Sequence, residues 1–367
     1  MSIYDDLGIK SIINGWGTVT KIGGSKMDPE VLAAMNEAGG AYVDILTFHE
    51  KAGKRIAELL GVEAACITAG ATAGIAISAA ACMSKGEIAK TLQLPDTTGM
   101  PNEILMLKCH RTHYDQALLV SGAKVREIGV TSSSKIEQVE AAISEKTAMF
   151  FYVVEAERMR GSLPFTEIVR VLKRHNIPIV VDAAAELPPK SNVTKYLEQG
   201  ADLVIFSGGK EIRGPQSSGF ILGKKKFIEA CDANCCPNYS IGRGMKIDKE
   251  TIAGIVKAVE LFTKKDYDIE MKRWELMVSK MISDFSTISG IVVRRGFPTE
   301  PGIQPVDIPR VYIRSADIGA KELQNCLLKL DPIIYVDVQG NEIVINPQCL
   351  EDNEINIVVY AIKSIII

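Results

Sequence analysis

Ile177-Pro178-Ile179-Val180-Val181-Asp182-Ala183-Ala184-Ala185-Glu186-Leu187-Pro188-Pro189 and, shortly after it, Gly200-Ala201-Asp202-Leu203-Val204-Ile205-Phe206-Ser207-Gly208-Gly209-Lys210 decide the fold. Each contains a short apolar run without alternation, the pattern of a strand buried on both faces. Each run also closes on a residue capable of chemistry: Asp182 in the first, Ser207 and Lys210 in the second. The 28 positions from Asp182 to Lys210 are one strand–helix–strand step. Such a step places the carboxylate and the amine at the same sheet edge on neighbouring strands.

Outward from this pair the same rhythm continues. Ala64–Thr68, Ile104–Lys108, Lys124–Ile128, Thr147–Val154, Ile177–Asp182, Asp202–Phe206 and Gly219–Leu222 read as strands. Helical stretches separate most of them. Pro164–His175 is one, with Ile168, Val169, Val171 and Leu172 on one side and Glu167, Arg170, Lys173 and Arg174 on the other. Alternating strands and helices predict an α/β fold with an open, mostly parallel sheet. Near Asp248 the texture changes to long charged amphipathic helices, and the chain to its end reads as a smaller α+β domain. The expected division is an N-terminal arm over 1–50, a large domain over 51–265 and a small C-terminal domain over 266–367.

With 367 residues the chain is long enough for two ordinary domains. Its 42 Lys+Arg nearly balance 45 Asp+Glu, a net charge of −3, so it has no overall basic field to hold a nucleic-acid backbone. The eight cysteines show no Cys-x-x-Cys spacing, which predicts reduced thiols in a cytoplasm and no zinc site or disulfide framework. Cys235-Cys236 reads as an ordinary loop thiol pair, and His49 and His175 as structural or solvated. The start, Met1-Ser2-Ile3-Tyr4-Asp5-Asp6, lacks the features of an export signal. Ala64–Met83 is the most apolar stretch, but its turn residues predict strand, turn and helix, not a membrane span.

Ligands of open α/β sheets sit at the carboxyl ends of strands. Besides Asp182 and Lys210, those ends carry Ala69-Gly70-Ala71-Thr72-Ala73-Gly74 after the first strand and His110 after the second. A lysine, a carboxylate, an imidazole and a small-residue turn opening a helix are what pyridoxal phosphate requires. The amine forms a Schiff base with the aldehyde, and the carboxylate keeps the pyridine nitrogen protonated. The helix N-terminus binds the phosphate. Ser207-Gly208-Gly209-Lys210 also satisfies a Ser-x-x-Lys pattern, but no Ser-Asp-Asn or Lys-Thr-Gly accompanies it. No Gly-x-Gly-x-x-Gly or P-loop is present in the Ala69–Gly74 turn.

In these segments the chain resembles the selenocysteine-synthase-like branch of the fold-type I pyridoxal-phosphate enzymes, and within it the D-glucosaminate-6-phosphate ammonia-lyase group. The likeness also rests on Ile13-Asn14-Gly15-Trp16-Gly17-Thr18, His110-Arg111 with Tyr114-Asp115, Gly161-Ser162-Leu163-Pro164-Phe165 and Gly214-Pro215-Gln216-Ser217-Ser218-Gly219. It implies an aspartate-aminotransferase-like large domain and pyridoxal 5′-phosphate as cofactor. Lys210 would be the Schiff-base lysine and Asp182 the pyridinium partner. Gly70, Ala71, Thr72 and Ser207 would hold the phosphate. His110 would stack on the ring, with His113 as substitute, and Arg213 and Arg243 would bind the substrate. The implied reaction releases ammonia from 2-amino-2-deoxy-D-gluconate 6-phosphate. Selenium transfer to seryl-tRNA, or lyase or aminotransferase chemistry on a small amino acid, are the alternatives. A homodimer or larger homo-oligomer is implied, with Gly39-Gly40-Ala41-Tyr42-Val43-Asp44 reaching across. No membrane or nucleic-acid partner is expected.

Overall fold

The computed structural model describes residues 2–366. After a first strand, β1 (Ile12–Gly15), the chain builds one sheet from β2 (Ala64–Thr68), β3 (Glu103–Leu107), β4 (Lys124–Ile128), β5 (Thr147–Val153), β6 (Ile179–Asp182), β7 (Leu203–Ser207) and β8 (Gly219–Gly223). Their order is β2-β8-β7-β6-β5-β3-β4. The pairs β4/β3, β3/β5, β5/β6 and β6/β7 are parallel, whereas β8 runs antiparallel to both β7 and β2. All seven strands expected from sequence are present, shifted by at most two residues. β6 starts at Ile179 because Pro178 has no N–H for the ladder and offers only its carbonyl, to Phe150.

The helix Ala71–Ser84 is buried on every side from Ala73 onward, packed in one apolar cluster with β3, β5 and β7 residues such as Met106, Met149 and Ile205. Phe165–Arg174 buries Phe165, Ile168, Val171 and Leu172, the apolar face expected for it. Pro164 sits at its N-cap.

Two compact units result: residues 27–265 with 300–304, and a smaller one formed by 2–26, 266–299 and 305–366. The first 50 residues therefore divide instead of forming one arm. β1 joins the smaller unit because buried Ile13 belongs to its core and β1 pairs in parallel with β11 (Ile333–Gln339). Residues 27–50 carry the helix Pro29–Gly39 and the start of the helix Ile45–Leu60, both in the larger unit. The smaller sheet is completed by β9 (Ile291–Gly296), β10 (Arg310–Ser315) and β12 (Glu342–Ile345), in the order β1-β11-β12-β10-β9. The helix Tyr267–Phe285 covers it with Trp274, Met277, Val278, Met281 and Phe285.

Asp202, expected as the first residue of β7, lies one position before it. There its buried carboxylate accepts the Ile179 N–H at 3.0 Å and pairs with Lys173 at 2.8 Å and Lys224 at 2.6 Å. One side chain thus fastens the start of β6, the end of the helix Phe165–Arg174 and the exit of β8. Both lysines keep solvent contact, so removing the carboxylate mainly strands the buried Ile179 N–H, a cost of about 1–3 kcal/mol. Asp202→Ala is expected to lower the urea midpoint by a corresponding amount, and Asp202→Asn, which retains an acceptor for Ile179, by less. Equal midpoints for wild type and Asp202→Ala would show that the cluster contributes nothing.

Candidate active site

Asp182 is the last residue of β6, abreast of Val153 on β5 and Ile205 on β7. Its carboxylate accepts the Ala184 N–H at 3.1 Å. Burial pushes its pKa up, and the Ala184 N–H and the charge of Lys210 pull it back. Lys210 lies three residues beyond the end of β7, in a turn tied by its own backbone: Gly208 N–H donates to Ser218 O at 2.8 Å, Gly214 N–H to Gly208 O at 2.8 Å, and Arg213 N–H to Lys210 O at 2.9 Å. Burial depresses the amine's pKa, while Asp182, Glu155 and Glu186 oppose the shift. Lys210 and Asp182, predicted to share a sheet edge, therefore feel one another's charge.

At the other side of β8, the helix Ala71–Ser84 begins at Gly70, whose φ of +89° suits glycine and whose position carries no side-chain cap. Gly219 of β8 is abreast of Thr68 on β2 and Ser207 on β7. A Cβ on Gly219 would lie 2.6 Å from Gly70 C and 2.8 Å from Ala71 N. The missing side chain lets the Gly70-Ala71-Thr72 turn approach the end of β7. The first N–H groups of a helix have no intrahelical partner, so this turn offers donors and the positive end of the helix dipole. An anion-binding turn, a desolvated amine and a desolvated carboxylate along one edge fit a pyridoxal phosphate.

His110 ends the 3₁₀ turn Lys108–His110 after β3 and has no exposed surface. Its Nδ1 accepts the Val153 N–H at 3.1 Å, which leaves Nε2–H to donate to Ser162 Oγ at 2.9 Å. Its ring meets Tyr152 edge-on at 4.6 Å. Burial pushes its pKa down to about 4, so the imidazole is neutral. Stacking needs an open ring face, which His110 does not present in this structure. His113 is exposed. Arg213 continues the Lys210 turn with φ +56°. Arg243 is exposed, its Nη1 3.8 Å from Cys236 Sγ.

Two acidic residues at this edge were not singled out from sequence. Glu155 follows β5 by two residues and is desolvated beside Asp182 and Lys210, its pKa raised. Glu186 lies in the turn after Asp182, 7% exposed, and is pushed up to about 8 by burial and by Glu157, Asp182 and Glu155. The strand-end rule that selected Asp182 would have selected Glu155 as well.

Comparison with known proteins agrees with this geometry. The family model described as L-seryl-tRNA selenium transferase (SelA) matches residues 112–287. D-glucosaminate-6-phosphate ammonia lyase of Salmonella typhimurium is 38% identical over 264 residues, covering 71% of this chain and 69% of the relative. A 5′-C-glycyluridine monooxygenase-decarboxylase of Streptomyces is 31% identical over 299 residues, covering 79% and 73%. A solved structure of D-glucosaminate-6-phosphate ammonia-lyase superposes with a TM-score of 0.86 at 30% identity, covering 100% of this chain and 98% of that one. Lys210, Asp182 and the uncapped helix turn thus sit in a fold-type I pyridoxal-phosphate enzyme, and the chain belongs to the family of D-glucosaminate-6-phosphate ammonia-lyase.

Proposed function

We propose that this chain is a carbon–nitrogen lyase converting 2-amino-2-deoxy-D-gluconate 6-phosphate to 2-keto-3-deoxygluconate 6-phosphate and ammonia. The carrying observation is the desolvated Lys210–Asp182 pair beside an uncapped helix turn, in a chain 38% identical to a protein named for that substrate. Pyridoxal phosphate, when bound, supplies an electron sink conjugated to the substrate's α-carbon. Lys210, whose pKa burial lowers, would hold the cofactor by its amine and would take the substrate's α-proton. Asp182 holds the proton on the pyridine nitrogen. Overall the reaction would lose one water, as hydroxide from the neighbouring carbon plus a proton, and regain one as the amino nitrogen leaves as ammonia. Gly70, Ala71, Thr72 and Ser207 hold the cofactor phosphate. Arg213 and Arg243 offer guanidinium forks for the substrate's carboxylate or phosphate. His110 positions Ser162 and the end of β5 through its two hydrogen bonds.

Selenium transfer to seryl-tRNA is the second reading, favoured by the SelA match. The net charge of −3 weighs against a tRNA partner. Assaying ammonia and 2-keto acid release over a panel of amino sugar acids and amino acids, with and without the 6-phosphate, tests the proposal. Release from the unphosphorylated acids or from serine alone would overturn the substrate assignment.

All eight cysteines are unbridged, in keeping with the cytoplasm as the place of action. No helix among the described residues is long and apolar enough to cross a membrane. Tyr42, fully exposed, with half-exposed Val43 and Leu46, offers an apolar surface to a second copy, and we expect a homo-oligomer. Light scattering on the cofactor-loaded protein should give at least twice the chain mass. A fully active monomer would refute this.

Lys210→Ala should remove both activity and the visible absorbance of bound cofactor while far-ultraviolet circular dichroism stays that of the folded protein. Borohydride reduction and peptide mapping should place the pyridoxyl group on Lys210. A label on another lysine would overturn the assignment. Asp182→Asn should cut turnover by roughly 10²-fold or more. An unchanged rate with a lowered melting temperature would mark it as structural only.

Glu186 yields a pH prediction for the cofactor-free protein. Its folded pKa, about 8, exceeds the ordinary 4.5, so the folded state binds the extra proton and stability falls as pH rises between these values. The wild-type melting temperature should therefore drop more between pH 5 and 8 than that of Glu186→Gln. Parallel profiles would show that Glu186 ionises freely.

A further inference from the structure

Away from Lys210, the larger unit gathers a second cluster of side chains that spacing along the sequence does not reveal. The helix Ile45–Leu60 lies unusually close to β2: a Cβ on Gly53 would sit 2.3 Å from Ala65 O. One turn before Gly53, this close approach brings His49 against the strand. Cys66 is the middle residue of β2, and Cys235 caps the C-terminus of the helix Lys225–Asn234. One ring nitrogen of His49 and the Sγ atoms of Cys66 and Cys235 all lie within 4.8 Å of one another, and all three residues are buried. The two sulfurs are 3.4 Å apart.

The hydrogen bonds fix how the imidazole is presented. His49 Nε2 is 2.7 Å from Ile67 O, and because a carbonyl only accepts, Nε2 carries the hydrogen. Nδ1 faces Asp232 Oδ1 at 3.7 Å. A ring nitrogen and a carboxylate oxygen thus meet beside two thiols. Metal-ligating histidines characteristically donate their other ring N–H to a backbone carbonyl or carboxylate, as His49 does. In a tetrahedral zinc site, metal–ligand bonds of about 2.0–2.3 Å separate neighbouring donors by about 3.3–3.8 Å. The sulfurs, 3.4 Å apart, lie a few tenths of an ångström inside the spacing of a thiolate pair, and the Asp232 oxygen, 3.7 Å from Nδ1, a few tenths outside its own, so side-chain adjustment alone would close the set.

We propose that His49, Cys66 and Cys235, with Asp232 as fourth ligand, form a binding site for a divalent zinc-type cation. Two thiolates, an imidazole and a carboxylate are a donor set of zinc and not of magnesium or calcium. With its four positions filled by protein, the site is structural: it clamps two helices onto β2. Each thiol gives up its proton as the cation enters, so uptake releases protons and weakens as pH falls.

Untagged holoenzyme from zinc-supplemented cells is assayed for metal by mass spectrometry, and chelator-treated holoenzyme is titrated with cobalt(II). About one zinc per chain is expected. Cobalt should give a tetrahedral visible band at longer wavelength than the cofactor's own, with a thiolate charge-transfer band in the near ultraviolet. Cys235→Ser and His49→Gln should lose most of the metal and of the cobalt bands, whereas Cys326→Ser in the smaller unit keeps both. Removing the metal with chelator should lower the melting temperature, a readout that needs no variant to fold. Zinc far below stoichiometric with no cobalt–thiolate band would overturn the site. So would bands unchanged in Cys235→Ser, or a Cys66–Cys235 disulfide in the isolated protein.

Discussion

At Gly219 the sheet's single antiparallel strand comes so close to the turn before the helix Ala71–Ser84 that a side chain would strike Gly70 C and Ala71 N. The proposed cofactor site depends on that approach. Because β8 lies between β2 and β7, the anion-binding turn that follows β2 and the lysine turn that follows β7 are separated by one strand, and Gly219 is abreast of the last residue of each. A β8 running parallel would present its other end there. The antiparallel strand lets the chain pass directly from the Lys210 turn, through Gly214–Ser218, back into the sheet at the same edge. Ser218 then accepts the Gly208 N–H through its carbonyl, closing the lysine turn from below.

The electrostatics follow from the same crowding. Three carboxyl groups, of Asp182, Glu155 and Glu186, act on one amine in a desolvated space. Burial alone would neutralise all four, by raising the acids and lowering the lysine. Coulombic attraction between Lys210 and Asp182 opposes this for the pair, whereas repulsion among the acids reinforces it for Glu186. All three acids are raised, but Lys210 pulls Asp182 and Glu155 back, whereas Glu186, pushed up to about 8, keeps its proton near neutral pH.

Much of this was legible in the sequence because parallel strands buried on both faces leave uninterrupted apolar runs, and the residue ending each run is placed by topology alone. Asp182, Lys210 and the Gly70 turn were found in that way. Glu155 escaped because the apolar run Thr147–Val154 was read for its strand and not for the acid beyond it. Burial of His110 escaped for another reason: enclosure by Tyr152, Val153 and Ser162 is a tertiary property with no local pattern. The same holds for the division of the first 50 residues. β1 is an ordinary short strand whose partner, β11, lies more than three hundred residues away in the chain, and no periodicity announces such a pairing. His49, Cys66 and Cys235 present the extreme case, since His49 alone reads as structural or solvated, Cys66 as part of a buried strand and Cys235 as a loop thiol.

Relatives named for an ammonia lyase and for a monooxygenase-decarboxylase share this fold at 38% and 31% identity. If the strand-end residues, which the sheet positions, supply what such different reactions share, the scaffold sets the common chemistry. Selection among substrates must then come from groups the sheet does not fix. Arg213 lies on the turn beyond Lys210, and Arg243 is exposed in the segment that begins at Cys235. Side chains on turns can be exchanged without disturbing β6, β7 or the helix Ala71–Ser84. An arginine fork discriminates by charge and planarity, and under the proposed function either place would suit an anionic substrate.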